Sequence, residues 1–273
     1  MNSYTKKYYE QKVIWDKDYL ENEDEAQKII SVIEFLQAGE NKLLDIGCGN
    51  GAFINLLHEK FSDIIQILVG FDISKTALKF VKTDKCTGNV SDLPFRNQEF
   101  DIVTAIEVLE HLPIKEFEKA ILEIQRVCKK RIIVTVPNDD DLPTSLVKCP
   151  KCYCRFSPCF HIRSFNNFKL FNLFADFQPM KIVEIGPLIP YYNNFFLPVY
   201  RFWKQQFPPF LPATAICPQC GFKNVKNIDF NIESHHKKII SLDEIIISCK
   251  KLFKSLLSSK KQRWIMAVYD RRT

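Results

Sequence analysis

Three glycines at alternate positions constrain this chain more than any other feature. Gly47, Gly49 and Gly51 stand between an apolar run at 42–46 and a helix-patterned segment at 52–60. Because glycine has no Cβ atom, a turn built from these residues can be tight and lets a ligand approach the backbone closely. A strand, a glycine turn and a helix in this order indicate a nucleotide-type cofactor site at the end of the strand.

Apolar runs alternate with helix-patterned segments from residue 42 to residue 136, which is the pattern of βαβ units on a parallel sheet. The predicted fold class is therefore α/β. The predicted strands are 42–46, 64–71, a short one near 86–90, 100–106, 131–136, 180–185 and 263–269. The predicted helices are 24–36, 52–60, 74–81 with Ser74 as N-cap, one after Pro113, 165–177, and one from Ser241 toward Leu257.

The same patterns divide the chain into four parts. These are an N-terminal cap at 1–40, a core at 41–186 with a cysteine-rich loop at 149–161, an insertion at 187–240, and a last helix and core strand at 241–273. Residues 187–218 hold seven of the 14 prolines and many aromatic residues, which is incompatible with the interior of a regular sheet. The insertion suits a lid or substrate wall, buried packing, or a membrane or partner surface. Its prolines and charges break any apolar span of membrane length.

Composition limits the class of protein. The 273 residues are 46% hydrophobic and 26% charged, which is enough apolar material for a full core and too much for a disordered tail. No apolar stretch typical of a secretory signal follows the N-terminus, so we expect a cytoplasmic protein. The net charge of +6 is mild for this length and does not by itself indicate a nucleic-acid partner. Ten cysteines in such a chain indicate metal ligands or buried thiols rather than disulfides.

The glycines alone do not choose between cofactors. Gly47, Gly49 and Ala52 also satisfy the dinucleotide pattern G-x-G-x-x-A, and Asp72 ends the next predicted strand, where a ribose-binding carboxylate is expected. Further motifs follow in order: LLDIGCGNGAF, FDIS, GNVSDLPFRNQEFDIVTAIEVLEHL, and a strand ending in VPN. In this order they resemble the class I S-adenosylmethionine-dependent methyltransferases, of the type 11 and ubiquinone-biosynthesis O-methyltransferase kind. The resemblance covers roughly residues 40–138.

The resemblance implies a Rossmann-like sheet with helices on both faces and S-adenosylmethionine as methyl donor. It places the glycine turn against the methionine and ribose of the cofactor, Asp72 on both ribose hydroxyls, and Asn89 and Val90 on the adenine. Many relatives carry Asp where this chain has Asn89, and Asp92 is a nearby alternative. The implied cofactor-binding residues are Asp45, Gly47, Cys48, Gly49, Asn50, Gly51, Asp72, Ile73, Asn89, Val90, Asp92 and Ile106. The aromatic residues expected to close over the cofactor are Tyr4, Tyr8, Tyr9, Trp15 and Tyr19.

A second polar group follows the strand at 100–106. Glu107, Glu110 and His111 stand at i, i+3 and i+4, and would share one face if this segment were helical. The same Glu-x-x-Glu-His arrangement with a later histidine, here His161, resembles the metal-dependent small-RNA 3′-terminal 2′-O-methyltransferases, and it also occurs in ubiquinone-biosynthesis O-methyltransferases. A bound Mg²⁺ would polarise a substrate hydroxyl and lower its pKa. The alternatives are a metal-free polar active site with His111 as general base, and a structural role.

Two Cys-Pro-x-Cys motifs, at 149–152 and 217–220, predict a structural zinc site. Four thiolates from paired Cys-x-x-Cys turns are what a tetrahedral zinc needs, and the site would staple the far end of the insertion to the core. The predicted ligands are Cys149, Cys152, Cys217 and Cys220. The alternatives are a local site that combines the first motif with Cys159 and His161, and free thiols. The cysteines predicted to be packed thiols are Cys48, Cys86, Cys128 and Cys249.

These observations predict a methyltransferase that acts on an oxygen atom of a small molecule or of a sugar or lipid-linked intermediate. The first alternative is a metal-dependent RNA 2′-O-methyltransferase, motivated by the Glu-x-x-Glu-His arrangement. The alternative of another class is a non-catalytic zinc-binding adaptor that retains the fold. The intact glycines and Asp72 argue against the adaptor.

Overall fold

The structure is a computed structural model that describes residues 3–37, 39–192, 197–206, 211–212, 214–223 and 258–272. The strands in these ranges are β1 Lys42–Ile46, β2 Ile67–Asp72, β3 Asp84–Thr87, β4 Phe100–Ile106, β5 Cys128–Pro137, β6 Val147–Lys148, β7 Arg155–Phe156, β8 Phe177–Tyr192 and β9 Ser258–Arg271. The α-helices are α1 Ser3–Tyr9, α2 Lys12–Trp15, α3 Glu23–Ile33, α4 Ala52–Lys60, α5 Ile114–Val127, α6 Leu142–Ser145, α7 Asn167–Phe171 and α8 Leu197–Gln206. Short 3₁₀ turns lie at Tyr19–Glu21, Ala77–Phe80 and Leu109–His111.

Seven strands form the central sheet in the order β3-β2-β1-β4-β5-β9-β8. Strands β1 to β5 are parallel, whereas β9 pairs antiparallel with β5 and β8 pairs antiparallel with β9. The strand order reverses between β1 and β4, and the crevice outside the carboxyl ends of these strands is where open α/β sheets bind ligands. The predicted α/β class and Rossmann-like sheet are confirmed.

Apolar side chains cover both faces of the sheet, as the continuous apolar runs require. In β1, Leu44 joins one buried cluster with Ile124 of α5, and Leu43 joins the other with Val32 of α3 and Phe53 of α4. Helices therefore pack on both faces. This double cover fixes β1 and β4 firmly, and their carboxyl ends carry the glycine turn and Glu107.

Strands β1 and β4 and helix α4 have their predicted bounds, but two predicted helices are much shorter. The helix expected at 74–81 is only the 3₁₀ turn Ala77–Phe80. Asn55 of α4 donates to the Phe80 carbonyl and accepts from Lys82 N, so the chain leaves the turn toward β3. The helix expected at 165–177 is only α7, because Phe174 and Phe177 turn into the core against Tyr269.

The sheet does not end at Gly186, where the sequence predicted a break. Strand β8 continues to Tyr192 and pairs with β9 through Ser258, so residues 187–192 belong to the sheet rather than to an insertion. The register shifts between Ile185 and Leu188, and Gly186 has a φ of +83° in this irregularity. The prolines therefore fit this antiparallel edge strand, which sequence reasoning excluded.

The remaining part of the predicted insertion is described only in pieces. Helix α8 and residues 214–223 are placed, whereas the predicted helix from Ser241 toward Leu257 lies outside the described residues. Among the described helices, none is long and apolar enough to cross a membrane.

Candidate functional site

The glycine turn leaves β1 in a conformation that only glycine adopts easily. Gly47, Gly49 and Gly51 have φ angles of +67°, +54° and +85°. The amides of Gly47 and Cys48 both donate to the Phe71 carbonyl of β2, at 2.7 and 3.1 Å. A Cβ atom on Gly47 would collide with the side chain of Val108. The turn is therefore held from β2 and packed closely against the segment after β4.

Asp72 and Asp45 lie beneath and beside this turn. The buried Asp72 carboxylate, at the end of β2, accepts hydrogen bonds from Gly49 N (2.9 Å) and from Ser74 N (2.7 Å), which flanks Ile73. Asp45 accepts from the Thr104 hydroxyl at 2.7 Å, and burial raises its pKa to about 7. The structure thus brings Asp45, the turn and Asp72 to adjoining strand ends, as predicted.

The predicted adenine loop follows β3 and is held from helix α5. Within the loop, Asn89 Oδ1 accepts from Ser91 N, Val90 is buried and Asp92 is exposed. Glu123 accepts from Leu93 N at 2.8 Å, and Arg126 donates to the carbonyls of Leu93 and Phe95. An ion pair of α5, which sequence reasoning missed, therefore fixes the loop that carries Asn89. Ile106 ends β4 opposite this loop.

Residues 8–17, called the lid below, pack over the glycine turn. Asn50 Nδ2 donates to the carbonyls of Trp15 (3.0 Å) and Lys17 (2.9 Å), and the Trp15 ring lies against Gly49. Ser74 Oγ donates to the Tyr9 carbonyl at 2.8 Å. Glu10 accepts from the amides of residues 75 and 76 and from the Thr76 hydroxyl. The lid thus contacts the cofactor side of both β1 and β2.

Glu107 does not share a helix face with Glu110 and His111, contrary to the expectation from spacing. It has a φ of +56°, and the chain after it forms only a 3₁₀ turn. Its carboxylate accepts from Trp264 Nε1 at 2.9 Å and lies 3.4 Å from the Thr135 hydroxyl. Burial raises the pKa of Glu107. A bulky residue held in this rare conformation at a strand end is a feature that clusters at functional sites.

Glu110, His111 and His161 form a polar corner with ligand atoms all within 4.8 Å of one another, and Glu107 is not part of this group. Both carboxylate oxygens of Glu110 and Nδ1 of His111 are buried without a hydrogen-bond partner. Burial raises the pKa of Glu110 well above its ordinary value and lowers the pKa of His111 to about 3. Unpaired buried groups of this kind are costly and call for a ligand.

His161 reaches this corner from the cysteine-rich loop, as predicted. Its ring centroid lies 4.9 Å from that of His111, and its Nδ1 is 3.1 Å from Asp140 Oδ2. A histidine whose Nδ1 is bound to a carboxylate presents Nε2 to a metal ion or a proton. Sequence reasoning missed Asp140, although three consecutive aspartates at 139–141 directly after the VPN strand were a visible signal.

A cleft of about 320 Å³ opens beside the corner. Glu107, His161 and Trp264 line its inner end, and Tyr191 and Lys261 line its outer wall. Lys261 Nζ donates to the Asp139 carbonyl and lies over the Tyr191 ring, 4.3 Å from its centroid. The wall is built by the extended β8–β9 pair, so no local motif marked it.

The four predicted zinc ligands come together from two distant segments of the chain. Cys149 Sγ lies 3.7 Å from Cys220 Sγ, Cys152 Sγ lies 3.5 Å from Cys217 Sγ, and all four sulfurs are within 4.8 Å of one another. The two turns have the same backbone pattern, since Tyr153 N bonds to Cys149 O and Gly221 N to Cys217 O. This geometry favours the two-motif arrangement over the local one with the exposed Cys159.

Comparison with known proteins agrees with this geometry. The family model of the methyltransferase domain matches residues 44–134, which run from β1 through β5. Residues 44–134 are therefore similar in sequence to methyltransferase domains. The domain supplies the glycine turn, Asp72, the adenine loop and the two glutamates, while His161, the lid and the cysteines of the predicted zinc site lie outside it.

Three curated relatives share part of this chain. An uncharacterized protein of Methanocaldococcus jannaschii is 35% identical over 175 residues, which are 60% of this chain and 64% of the relative. A tRNA (carboxymethyluridine(34)-5-O)-methyltransferase of Arabidopsis thaliana is 32% identical over 44% of this chain and 30% of its own. A ubiquinone biosynthesis O-methyltransferase of Saccharophagus degradans is 33% identical over 29% and 36%. The chain thus matches less than two thirds of the length of each.

The fold of the methyltransferase domain and its extensions recurs in solved structures. A SAM-dependent methyltransferase from Archaeoglobus fulgidus superposes with a TM-score of 0.52 at 16% identity, over 89% of this chain and 91% of its own. At this identity the likeness shows the fold alone. The sheet therefore has the class I methyltransferase arrangement over most of its strands, including the two antiparallel ones.

Proposed function

We propose that the protein transfers the methyl group of S-adenosylmethionine to a hydroxyl oxygen of a small molecule or of a sugar or lipid-linked intermediate. The observation that carries the proposal is the polar corner after β4, where both carboxylate oxygens of Glu110 and Nδ1 of His111 lack hydrogen-bond partners. His161 of the corner also lines the cleft of about 320 Å³, which would admit an acceptor.

The residues of the glycine turn fit S-adenosylmethionine. The positive φ angles of Gly47 and Gly49 leave the backbone free of side chains, and the Asp72 carboxylate at the end of β2 suits a ribose diol. When bound, the sulfonium supplies a methyl group whose transfer abolishes a positive charge. The lid excludes water from this side. Alignment of the methyl group with the acceptor would lower the activation barrier, and in well-oriented reactions this effect is worth about 7 to 11 kcal/mol.

Glu110, His111 and His161 would hold a divalent cation. One carboxylate and two imidazoles are donors that suit Mn²⁺ or Co²⁺ better than Mg²⁺, which prefers oxygen ligands. Such a cation polarises a hydroxyl and lowers its pKa. Asp140 orients His161, and Trp264 holds Glu107 in the lining of the cleft, so these two residues position the site rather than react.

The cleft sets the class of acceptor. A volume of about 320 Å³ suits one small molecule or one sugar-sized unit, and the half-buried Tyr191 lines this cleft together with carboxylates. The names of the Arabidopsis thaliana and Saccharophagus degradans relatives both state transfer to oxygen. They support an oxygen acceptor here.

An RNA acceptor is the second candidate, favoured by the tRNA named for the Arabidopsis thaliana relative and by the histidine and glutamate corner. A nucleoside also fits a cleft of this size. Transfer of labelled methyl groups into fractionated cell extract separates the two, with RNA collected apart from lipids, glycans and metabolites, and with Mn²⁺, Co²⁺ or Mg²⁺ added. Cation-dependent label outside RNA supports the first candidate, and label in RNA replaces it with the second.

We also propose that Cys149, Cys152, Cys217 and Cys220 hold a structural zinc. Four sulfurs within 4.8 Å of one another, presented by two matching turns, have the donor set and closure of a tetrahedral site. Elemental analysis should find one zinc per chain in the purified protein. Cys220→Ser should lose it, and Cys154→Ser, which changes a half-buried cysteine outside the group, should keep it. Zinc-free wild-type protein would refute the site.

A further inference from the structure

The four cysteines belong to a small lobe made of residues 147–160, 211–212 and 214–223, called the cysteine lobe below. Its apolar interior consists of few side chains, among them Val147, Phe156 and Ala215. A core of this size does not fix a structure without a staple such as a metal ion. The cysteine cluster should therefore contribute strongly to the stability of the lobe.

The lobe contacts the lid directly. Gln11 Nε2 donates to the Thr214 carbonyl at 2.9 Å, three residues before Cys217. The Tyr8 ring packs on the Phe160 ring, with centroids 4.8 Å apart. These two contacts join opposite parts of the lobe to one turn of the lid.

The other side of the same lid covers the glycine turn. Tyr9 and Glu10, between the two residues that touch the lobe, are bonded to Ser74 and Thr76 after β2. Trp15, four residues after Gln11, lies on Gly49, and its carbonyl accepts from Asn50. The lid is thus held between the lobe and the glycine turn over a span of eight residues.

We propose that zinc in the cysteine lobe holds the lid closed over S-adenosylmethionine, and that Gln11 and Tyr8 transmit this effect. The inference rests on the proposed function, because it assigns the cofactor to the glycine turn. Zinc fixes Thr214 and Phe160, these hold Gln11 and Tyr8, and the lid then keeps Trp15 against Gly49. The zinc site is therefore a positioning element for cofactor binding as well as a staple.

The test measures the dissociation constant of S-adenosylmethionine by calorimetry, which does not depend on the acceptor or on His161. Gln11→Ala should weaken binding about 10-fold while the protein keeps one zinc per chain, since it removes the half-buried hydrogen bonds from Gln11 to the carbonyls of Thr214 and Tyr8. Gln27→Ala changes an exposed glutamine on α3 and should bind as the wild type does. Cys220→Ser should weaken binding by a similar factor.

The double variant Gln11→Ala/Cys220→Ser separates coupling from two independent effects. If the lobe acts through Gln11, the double variant binds about as weakly as either single variant; independent effects multiply to about 100-fold and overturn the proposal. Should Cys220→Ser fail to fold, Tyr8→Ala takes its place, and wild-type affinity in both lid variants with zinc retained overturns the proposal.

Failure of the proposed function would look different. A wild-type protein that holds zinc and does not bind S-adenosylmethionine contradicts the proposed function. The lid is then followed by hydrogen exchange of the amides of residues 8–17. Faster exchange in Gln11→Ala and in Cys220→Ser than in Gln27→Ala supports the coupling, and equal exchange overturns it.

Discussion

The glycine turn and the polar corner follow neighbouring strands, β1 and β4. They differ in whether the buried carboxylate beside them is hydrogen-bonded. Asp72 is buried beside the turn, and both of its oxygens accept backbone hydrogen bonds. Glu110 is buried in the corner, and neither of its oxygens has a hydrogen-bond partner, although Oε1 lies 3.7 Å from His111 Nε2. The Asp72 carboxylate is hydrogen-bonded within the protein before any ligand binds, whereas the Glu110 carboxylate is not.

This difference indicates how the two regions contribute to stability. Burial raises the pKa of both carboxyl groups, but backbone hydrogen bonds oppose this effect at Asp72, whereas the Glu110 oxygens have no hydrogen bond that does so. The turn should therefore be required for folding as well as for binding. The corner should lower the free energy of unfolding, as functional sites commonly do because their residues are arranged for activity rather than for stability.

The largest expected effect comes from Glu110→Leu. The variant removes an unpaired carboxylate, so the melting temperature without added cation should stay the same or rise, while methyl transfer falls about 1000-fold. Added Mn²⁺ should raise the melting temperature of the wild type and not that of the variant. Glu118→Leu on the exposed side of α5 is the control and should retain activity. A clear loss of stability in Glu110→Leu would show that the contact of Glu110 with His111 Nε2, at 3.7 Å, outweighs the cost of burying the carboxylate.

Gly47→Ala should destabilise the protein by about 3 kcal/mol. The variant combines the strain of a positive φ with a collision against Val108. Gly39→Ala separates the two contributions, because Gly39 has a φ of +86° and a Cβ there meets nothing within 4 Å. It should cost about 1 kcal/mol. Equal losses of unfolding free energy in the two variants would mean that the Val108 side chain moves aside at little cost.

Asp72→Ala should weaken S-adenosylmethionine binding about 100-fold, a loss of about 2.7 kcal/mol. It also leaves the amides of Gly49 and Ser74 without their acceptor, which should lower the unfolding free energy by about 1 to 3 kcal/mol. Calorimetry and denaturant unfolding measure the two losses. Asp63→Ala, at an exposed aspartate after α4, should change neither. Full cofactor affinity in Asp72→Ala would contradict the ribose assignment.

The two regions also differ in how far the sequence predicted them. The turn, β1 and β4 were predicted because a contiguous motif and the periodicity of apolar residues mark them, although residues of β2 and of the segment after β4 hold the turn in place. The corner is assembled from distant segments, since His161 meets His111 across 50 positions and is itself bonded to Asp140, 21 positions away. The spacing would have placed Glu107 with Glu110 and His111 only if the segment were helical, but Glu107 adopts a positive φ, which no side-chain pattern encodes.

The long β8–β9 pair was missed for a related reason. Prolines were read as excluding a strand at 187–192, although an antiparallel edge strand tolerates them on the side that makes no hydrogen bonds. The cysteine cluster was predictable because metal ligands follow a spacing rule that does not depend on the intervening chain. A site assembled from distant segments can be predicted from sequence only when a chemical motif marks each segment.

The smallest expected effect comes from Glu123→Gln. This variant tests how the hydrogen bonds that hold the adenine loop contribute to stability at different pH values. Hydrogen bonds from Arg126 lower the pKa of Glu123, which holds the adenine loop through Leu93 N. A depressed pKa in the folded state contributes stability above the unfolded pKa of about 4.3 and loses it as pH falls through the folded value. The variant should therefore be about 1 kcal/mol less stable than the wild type at pH 7, with the difference vanishing toward pH 3. Burial raises the pKa of Glu110, so the dependence of stability on pH is opposite for this carboxyl group: its contribution falls as pH rises. A pH-independent difference in unfolding free energy would show that Glu123 acts by shape rather than by charge.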